Sequence, residues 1–137
     1  MIFWKYNLYN NLNHVALILD GNKRWAKKNK VNNKYGYKKG FENIRNIVNW
    51  SLSINLSNLT IFALSSENFN RSSVDIIYDI IYQNFSTILE NLVNDKGIKI
   101  NIFGSKESLP KKVLDIFQNI ENNSSNNKNL NLNIGFN

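Results

Sequence analysis

A chain of 137 residues with 42% hydrophobic side chains suits one domain with a real core and leaves no room for two. The absence of cysteine excludes a disulfide frame and thiolate chemistry, and a single histidine excludes a histidine-rich metal site. A formal net charge of +7 raises the weight of an anionic partner: nucleic acid, phosphorylated metabolite or membrane surface.

Asparagine takes about one position in five, far above ordinary usage. Asn, Lys and Ile share A/T-rich codons, so the basic charge carries less weight as a functional signal. Arginine is confined to Arg24, Arg45 and Arg71. In such a chain an arginine marks a place where a planar, bidentate fork is needed. The N-terminal MIFWKYNLYNN lacks the apolar region of a signal peptide, and no apolar stretch approaches the ~20 residues of a membrane span. A cytoplasmic protein is the expectation.

In chain order, HVALILD (His14 to Asp20) is a nearly unbroken apolar run, the pattern of a parallel strand buried on both faces. Asn22 to Lys30 is polar and helix-compatible. In GFENIRNIVNWSLSI, Phe41, Ile44, Ile47, Val48 and Leu52 share one helical face. NLTIFAL (Asn58 to Leu64) is a second strand. VDIIYDIIYQNFSTILENLV (Val74 to Val93) is a helix with an unusually apolar face. IKINIFG (Ile98 to Gly104) alternates as a strand. Ser108 with Pro110 starts a helix that carries Val113, Leu114, Phe117 and Ile120. NNSSNNKN reads as a solvated connector, and LNLNIGF (Leu130 to Phe136) as a last strand. The alternation predicts an α/β fold: a mainly parallel sheet of about four strands with helices on both faces. A strand in last place implies either a sheet edge or an incomplete domain, here a single domain over 1–137.

Ligands of open parallel sheets bind beyond the carboxyl ends of strands. Two strand ends here are polar in the same way. The first reads Asp20, Gly21, Asn22, Lys23, Arg24, Trp25; the second Ser65, Ser66, Glu67, Asn68, Phe69, Asn70, Arg71. At the first, Gly21 permits a sharp turn, the next N–H groups open a helix and can cradle an anion, and Arg24 can fork to phosphate oxygens. Asp20 would repel that phosphate unless a cation lies between them. Mg²⁺ fits, because it takes one or two carboxylates plus substrate phosphate oxygens. The bland alternative is that Asp20 and Asn22 merely cap a helix. At the second cluster, phosphate binding and proton or water orientation stand beside a polar loop with an N-cap. The apolar helix reads first as core and second as the wall of a cavity for an oily substrate. His14 reads as a packed, hydrogen-bonded histidine rather than a catalytic one.

HVALILDGNKRWAKK resembles the first signature of the cis-prenyltransferases, the undecaprenyl diphosphate synthase family, and LTIFALSSENFNR resembles the second. Their order and separation match. INIFGSKESLP and LNLNIGFN are similar to later, weaker segments. The resemblance runs from His14 to the last residue and implies a partial cis-prenyltransferase fold. It implies condensation of isopentenyl diphosphate onto an allylic diphosphate such as farnesyl diphosphate, with cis geometry, to a polyprenyl diphosphate of the undecaprenyl type. Asp20 then corresponds to the catalytic and Mg²⁺-binding aspartate. Gly21, Asn22, Lys23, Arg24 and Trp25 hold the allylic diphosphate. Ser65, Ser66, Glu67, Phe69 and Arg71 bind substrate, Asn68 assists proton removal, and the apolar helix lines the product tunnel.

The departures from the family pattern are Lys23 for a small residue, Asn33 for an arginine, Tyr37 for a histidine and Phe69 for a tryptophan. The family continues past the strand that is last here. That portion carries arginine and serine groups for isopentenyl diphosphate, the second acidic Mg²⁺ ligand and much of a homodimer interface. The leading expectation is therefore a truncated cis-prenyltransferase, touching membranes peripherally through its product. The alternative is a non-catalytic remnant or diphosphate-binding subunit that needs a complementary chain. A nucleic-acid role ranks last, since no nucleic-acid motif accompanies the charge.

Overall fold

The computed structural model describes residues 11–64, 71–107 and 109–136, with backbone alone at 64 and 71–74. Strand and helix alternate as the hydrophobic patterning requires: β1 (His14–Ile18), α1 (Asn22–Lys28), α2 (Asn33–Ser53), β2 (Asn58–Leu64), α3 (Arg71–Ile80), α4 (Ser86–Lys96), β3 (Ile98–Gly104), α5 (Lys111–Ser124) and β4 (Leu130–Phe136). A π-helical turn, Ile81–Phe85, joins α3 to α4. The helix expected from Val74 to Val93 is thus longer, with a π turn at its middle, and ends where Gly97 adopts φ 64°.

The sheet is four-stranded and wholly parallel, in the order β1-β2-β4-β3. Its inward face stacks Leu59 and Ile61 of β2 beside Leu132 and Ile134 of β4 and Ile98, Ile100 and Ile102 of β3, all buried. Phe41, Ile44 and Val48 of α2, Ile77 and Ile80 of α3, Leu89 of α4 and Phe117 of α5 close the same core. The α3–α4 side chains meet the strands directly, as ordinary core.

Four expectations need correction. First, β4 is no edge. It pairs with β2 on one side and β3 on the other, because β3 forms beyond it and α5 returns the chain to the gap. Second, β1 is not buried on both faces. It is an edge strand whose His14, Ala16 and Ile18 are exposed, so its apolar run reflects one buried face and one bare face. Third, among the described residues the helices that join the core cover one face, with α5 along β3's outer edge, rather than both faces. Fourth, α2 begins at Asn33, eight residues before Phe41, where the apolar periodicity starts. The Asn32 side chain caps it by accepting the Tyr35 N–H at 2.8 Å.

The Asn/Ser segment is the largely exposed connector expected, but two of its side chains are tied into the fold. Ser124 is fully buried, and its Oγ accepts the Ile100 N–H at 3.0 Å. Glu121 Oε1 accepts the Ile102 N–H at 2.6 Å, and the Asn127 amide donates to the carbonyls of Val93 and Ile98. These bonds close the outer edge of β3, whose backbone groups would otherwise stay open. Ser124→Ala leaves a buried N–H without its acceptor and is expected to cost about 1–3 kcal/mol. Ser125→Ala, on an exposed side chain, is expected to stay within about 0.5 kcal/mol in the same urea titration. Equal midpoints for the two variants would contradict this account of the edge.

Candidate active site

At the carboxyl end of β1 the Leu19 N–H bonds the Phe62 carbonyl of β2 at 3.0 Å, and the Asp20 N–H bonds the Ile18 carbonyl at 2.9 Å. The chain therefore reverses immediately after the strand. Gly21 completes the reversal at φ 87°, a left-handed conformation in which a Cβ is strained, and stands as the N-cap of α1. No side chain caps that helix. The capping role left open for Asp20 and Asn22 is therefore not what these residues do.

Asp20 instead accepts the Gly21 N–H on Oδ1 and the Arg24 guanidinium on Oδ2, the latter at 2.8 Å. Both side chains are more than two-thirds exposed, so this ion pair is weak, worth about 0–1 kcal/mol, and opens readily. The N–H groups of Asn22, Lys23 and Arg24 take no acceptor among the described residues, as expected of a first helical turn.

Between the Asp20–Asn22 turn and α2 lies a polar cleft of about 410 Å³, within the size range of small-ligand sites. Its far wall carries Lys39, Glu42, Asn43 and Asn46. The Lys39 ammonium sits 2.9 Å from Glu42 and over the Tyr35 ring. The bond to Glu42 raises its pKa, so Lys39 stays cationic. Trp25, beside the cleft, stacks on Tyr35 with ring centroids 6.3 Å apart. Behind the turn a smaller cavity of about 120 Å³ is lined by Lys23, Arg24 and the buried Tyr37. Asn33 is exposed at the first residue of α2.

The sequence reading missed the α2 wall of this cleft. Its signal was Gly36 and Gly40, four residues apart and so on one helical face. A Cβ at Gly36 would meet the Asn22 carbonyl at 2.6 Å and Ala26 Cβ at 2.9 Å, whereas one at Gly40 would meet only the Asn22 side chain. The bare face lets α1 dock against α2 and seats the turn. Gly36→Ala is expected to lower unfolding free energy by about 1–3 kcal/mol through overpacking against backbone, a loss that outweighs the roughly 1 kcal/mol gained in helix propensity. Gly40→Ala, displacing only a flexible amide, should be close to neutral. Indistinguishable urea midpoints would show that the close approach at Gly36 is not a constraint.

Residues Ser65, Ser66, Glu67, Asn68, Phe69 and Asn70 lie outside the described residues, as does the side chain of Arg71. The strand that leads into them, β2, runs parallel beside β1 and ends on the same edge of the sheet as Asp20. His14 meets Thr60 Oγ1 at 2.7 Å, the hydrogen bond expected of it, but the residue is exposed rather than packed. Among the described residues no group of three or more His, Cys, Asp or Glu is placed to hold a metal. No described helix is long and apolar enough to cross a membrane.

This turn and sheet have known counterparts. The family model described as "Putative undecaprenyl diphosphate synthase" matches residues 18–137. The chain belongs to the undecaprenyl diphosphate synthase family. Within it, the chain is 35% identical over 127 residues to the tritrans,polycis-undecaprenyl-diphosphate synthase (geranylgeranyl-diphosphate specific) of Pyrobaculum aerophilum, covering 88% of this chain and 52% of that one. It is 37% identical over 126 residues to the isoprenyl transferase of Thermotoga maritima, covering 90% and 54%. Its fold matches the crystal structure of lavandulyl diphosphate synthase from Lavandula x intermedia in complex with dimethylallyl diphosphate, with a TM-score of 0.84 at 31% identity. That match covers 90% of this chain and 53% of the other. The chain thus spans about half the length of the relatives it matches, all members of a prenyltransferase family.

Proposed function

We propose that this chain supplies the allylic-diphosphate half of a cis-prenyltransferase site, for condensation of isopentenyl diphosphate onto an allylic diphosphate to give a polyprenyl diphosphate of the undecaprenyl type. The observation that carries the reading is the Asp20–Arg24 turn. It holds one exposed carboxylate, one exposed guanidinium and a set of open N–H groups at the mouth of a polar cleft. An exposed acid and an exposed arginine paired on a surface are poised to exchange partners: the carboxylate for a cation, the guanidinium for a phosphate.

Mg²⁺ fits this donor set. It needs one or two carboxylates when substrate phosphate and water fill the remaining positions, and Asp20 is accessible to supply one. When bound, the ion supplies charge neutralisation for a diphosphate leaving group. The protein's own part is positional. Arg24 turns from Asp20 to the phosphate oxygens. Gly21 brings the backbone close, and the N–H groups of Asn22, Lys23 and Arg24 face the anion. Lys39, held cationic by Glu42, adds positive charge on the opposite wall. Trp25 shields one side. From the family resemblance, Ser65, Ser66, Glu67, Phe69 and Arg71 contribute substrate contacts, and Asn68 assists proton removal from isopentenyl diphosphate.

Calorimetry of the chain with a non-hydrolysable allylic thiodiphosphate tests the reading, once with Mg²⁺ and once with a chelator. Binding strengthened by Mg²⁺ is expected. Binding of equal strength in both would remove the metal from the proposal, and none in either would remove the site.

A further inference from the structure

The connection between α1 and α2 is tied down at both ends. Asn29 closes α1 and Lys30 takes φ 55°. The Lys30 N–H bonds the Lys27 carbonyl at 3.2 Å, and the Val31 N–H reaches back to the Ala26 carbonyl at 3.0 Å. Two such bonds around a left-handed residue form a Schellman closure, where glycine is the usual left-handed residue. Here a lysine stands in that place, at a cost in backbone strain that glycine would not carry. Asn32 then caps α2.

The tip held this way is exposed at every residue from Lys27 to Tyr35, and it gathers two kinds of side chain. Eight of the chain's 17 Lys and Arg fall within residues 21–41, and no Asp or Glu does. A codon bias toward lysine acts along the whole chain and does not produce that segregation. The acids that reach the hairpin are engaged: Asp20 by Arg24, Glu42 by Lys38 and Lys39, Asp79 by Lys34. Lys27, Lys28 and Lys30 have no ion-pair partner among the described residues. Beside them stand Trp25, Val31 and Tyr35, 42%, 37% and 43% exposed, and the two rings stack on each other. Lys27, Lys28, Lys30, Val31 and Tyr35 line neither the cleft nor the cavity behind the turn, so this surface is separate from both.

We propose that the α1–α2 tip docks on an anionic lipid bilayer: Lys27, Lys28 and Lys30 meet the headgroups, while Val31, Tyr35 and the rim of Trp25 enter the interface. Charge complementarity names the surface, since each lysine close to an anionic leaflet strengthens binding about fivefold. The aromatic pair selects lipid over nucleic acid, because Trp and Tyr suit the boundary between water and acyl chain. Nucleic-acid readout favours arginine forks, and the one arginine of this span is held by Asp20. The contact is made by the protein's own side chains and not through a product. It rests on charge and exposure and not on diphosphate binding, so the two can fail separately.

The test is co-sedimentation of the 137-residue chain with vesicles of phosphatidylcholine, alone and mixed with phosphatidylglycerol, at low and high salt. Binding to the mixed vesicles that weakens with salt is expected, and none to phosphatidylcholine alone. The triple variant Lys27→Gln, Lys28→Gln, Lys30→Gly should weaken it by about 100-fold. An equal change of charge around the amino ends of β3 and β4, Lys96→Gln, Lys99→Gln, Lys128→Gln, should stay within about twofold. Lys30→Gly alone should weaken vesicle binding about fivefold while leaving the urea midpoint unchanged or higher, which separates lost docking from lost folding. Val31→Ser with Tyr35→Ser changes no charge. It should weaken vesicle binding several-fold and leave retention on duplex DNA as it was. No binding, equal binding to neutral vesicles, or equal losses in the two lysine triples overturns the proposal. So does DNA binding that outlasts vesicle binding at the same salt and depends on Lys27, Lys28 and Lys30, since it assigns the tip to nucleic acid.

Discussion

Asp20→Ala is expected to remove the magnesium-dependent component of allylic diphosphate binding, while Asp115→Ala leaves it intact. Both aspartates are exposed, so neither substitution should threaten the fold. Their surroundings differ. Asp20 lies in the reversal at the end of β1, lines the cleft and, among the described residues, is held by Gly21 and Arg24. Asp115 lies on α5, away from the cleft lining. Losing the chain's own carboxylate should weaken the magnesium-dependent binding by at least the roughly 10- to 100-fold that even outer partners of a metal ligand cost. The sign in chelator is opposite and diagnostic. Without Asp20, Arg24 loses its intramolecular partner and is freer to meet phosphate, so metal-free binding should hold or strengthen slightly, by no more than the ~0–1 kcal/mol of an exposed pair. Calorimetry in both conditions separates a lost metal ligand from a distorted site. Equal behaviour of the two variants would defeat the assignment of Asp20.

The 137-residue chain alone is expected to bind an allylic diphosphate and fail to elongate it. In the proposed reading, Asp20 through Arg24 serve the allylic partner. By resemblance, the groups for isopentenyl diphosphate and the second metal ligand belong to the half of the family that this chain does not match. Condensation needs both substrates in near-attack geometry, and that positioning is worth roughly 7–11 kcal/mol of the barrier. Without the second site nearly all the rate should be absent, not a fraction of it. Incorporation of labelled isopentenyl diphosphate into organic-soluble product measures this. Adding the complementary half of a complete relative should restore turnover. Robust elongation by the chain alone would show that the unmatched half contributes little.

Much of this was legible beforehand. All four strands were placed by their apolar runs, because a strand in a parallel sheet cannot avoid alternation or continuous burial. The first motif was legible because a carboxylate, a glycine and a cluster of basic side chains directly after such a run have few structural uses. The α2 wall was not. Gly36 and Gly40 look like helix breakers in one dimension and become a docking surface only when α1 lies across them. Ser124 and Asn127 sit in a low-complexity stretch whose polarity suggests solvent, yet β3's outer edge needed donors and acceptors and these side chains were within reach.

What the sequence determined by itself is local: which segments are strand or helix, where Gly21 turns the chain, and which side chains gather at the end of β1. Only the tertiary structure decided that β4 lies between β2 and β3, that β1 is an edge with one bare face, and that Asp20 and Arg24 neutralise each other. Periodicity and turn chemistry act over a few residues and leave their mark in the order of the letters. Strand order, edge closure and the partner of a charge depend on which distant segments meet, and each segment's own pattern is compatible with several such meetings.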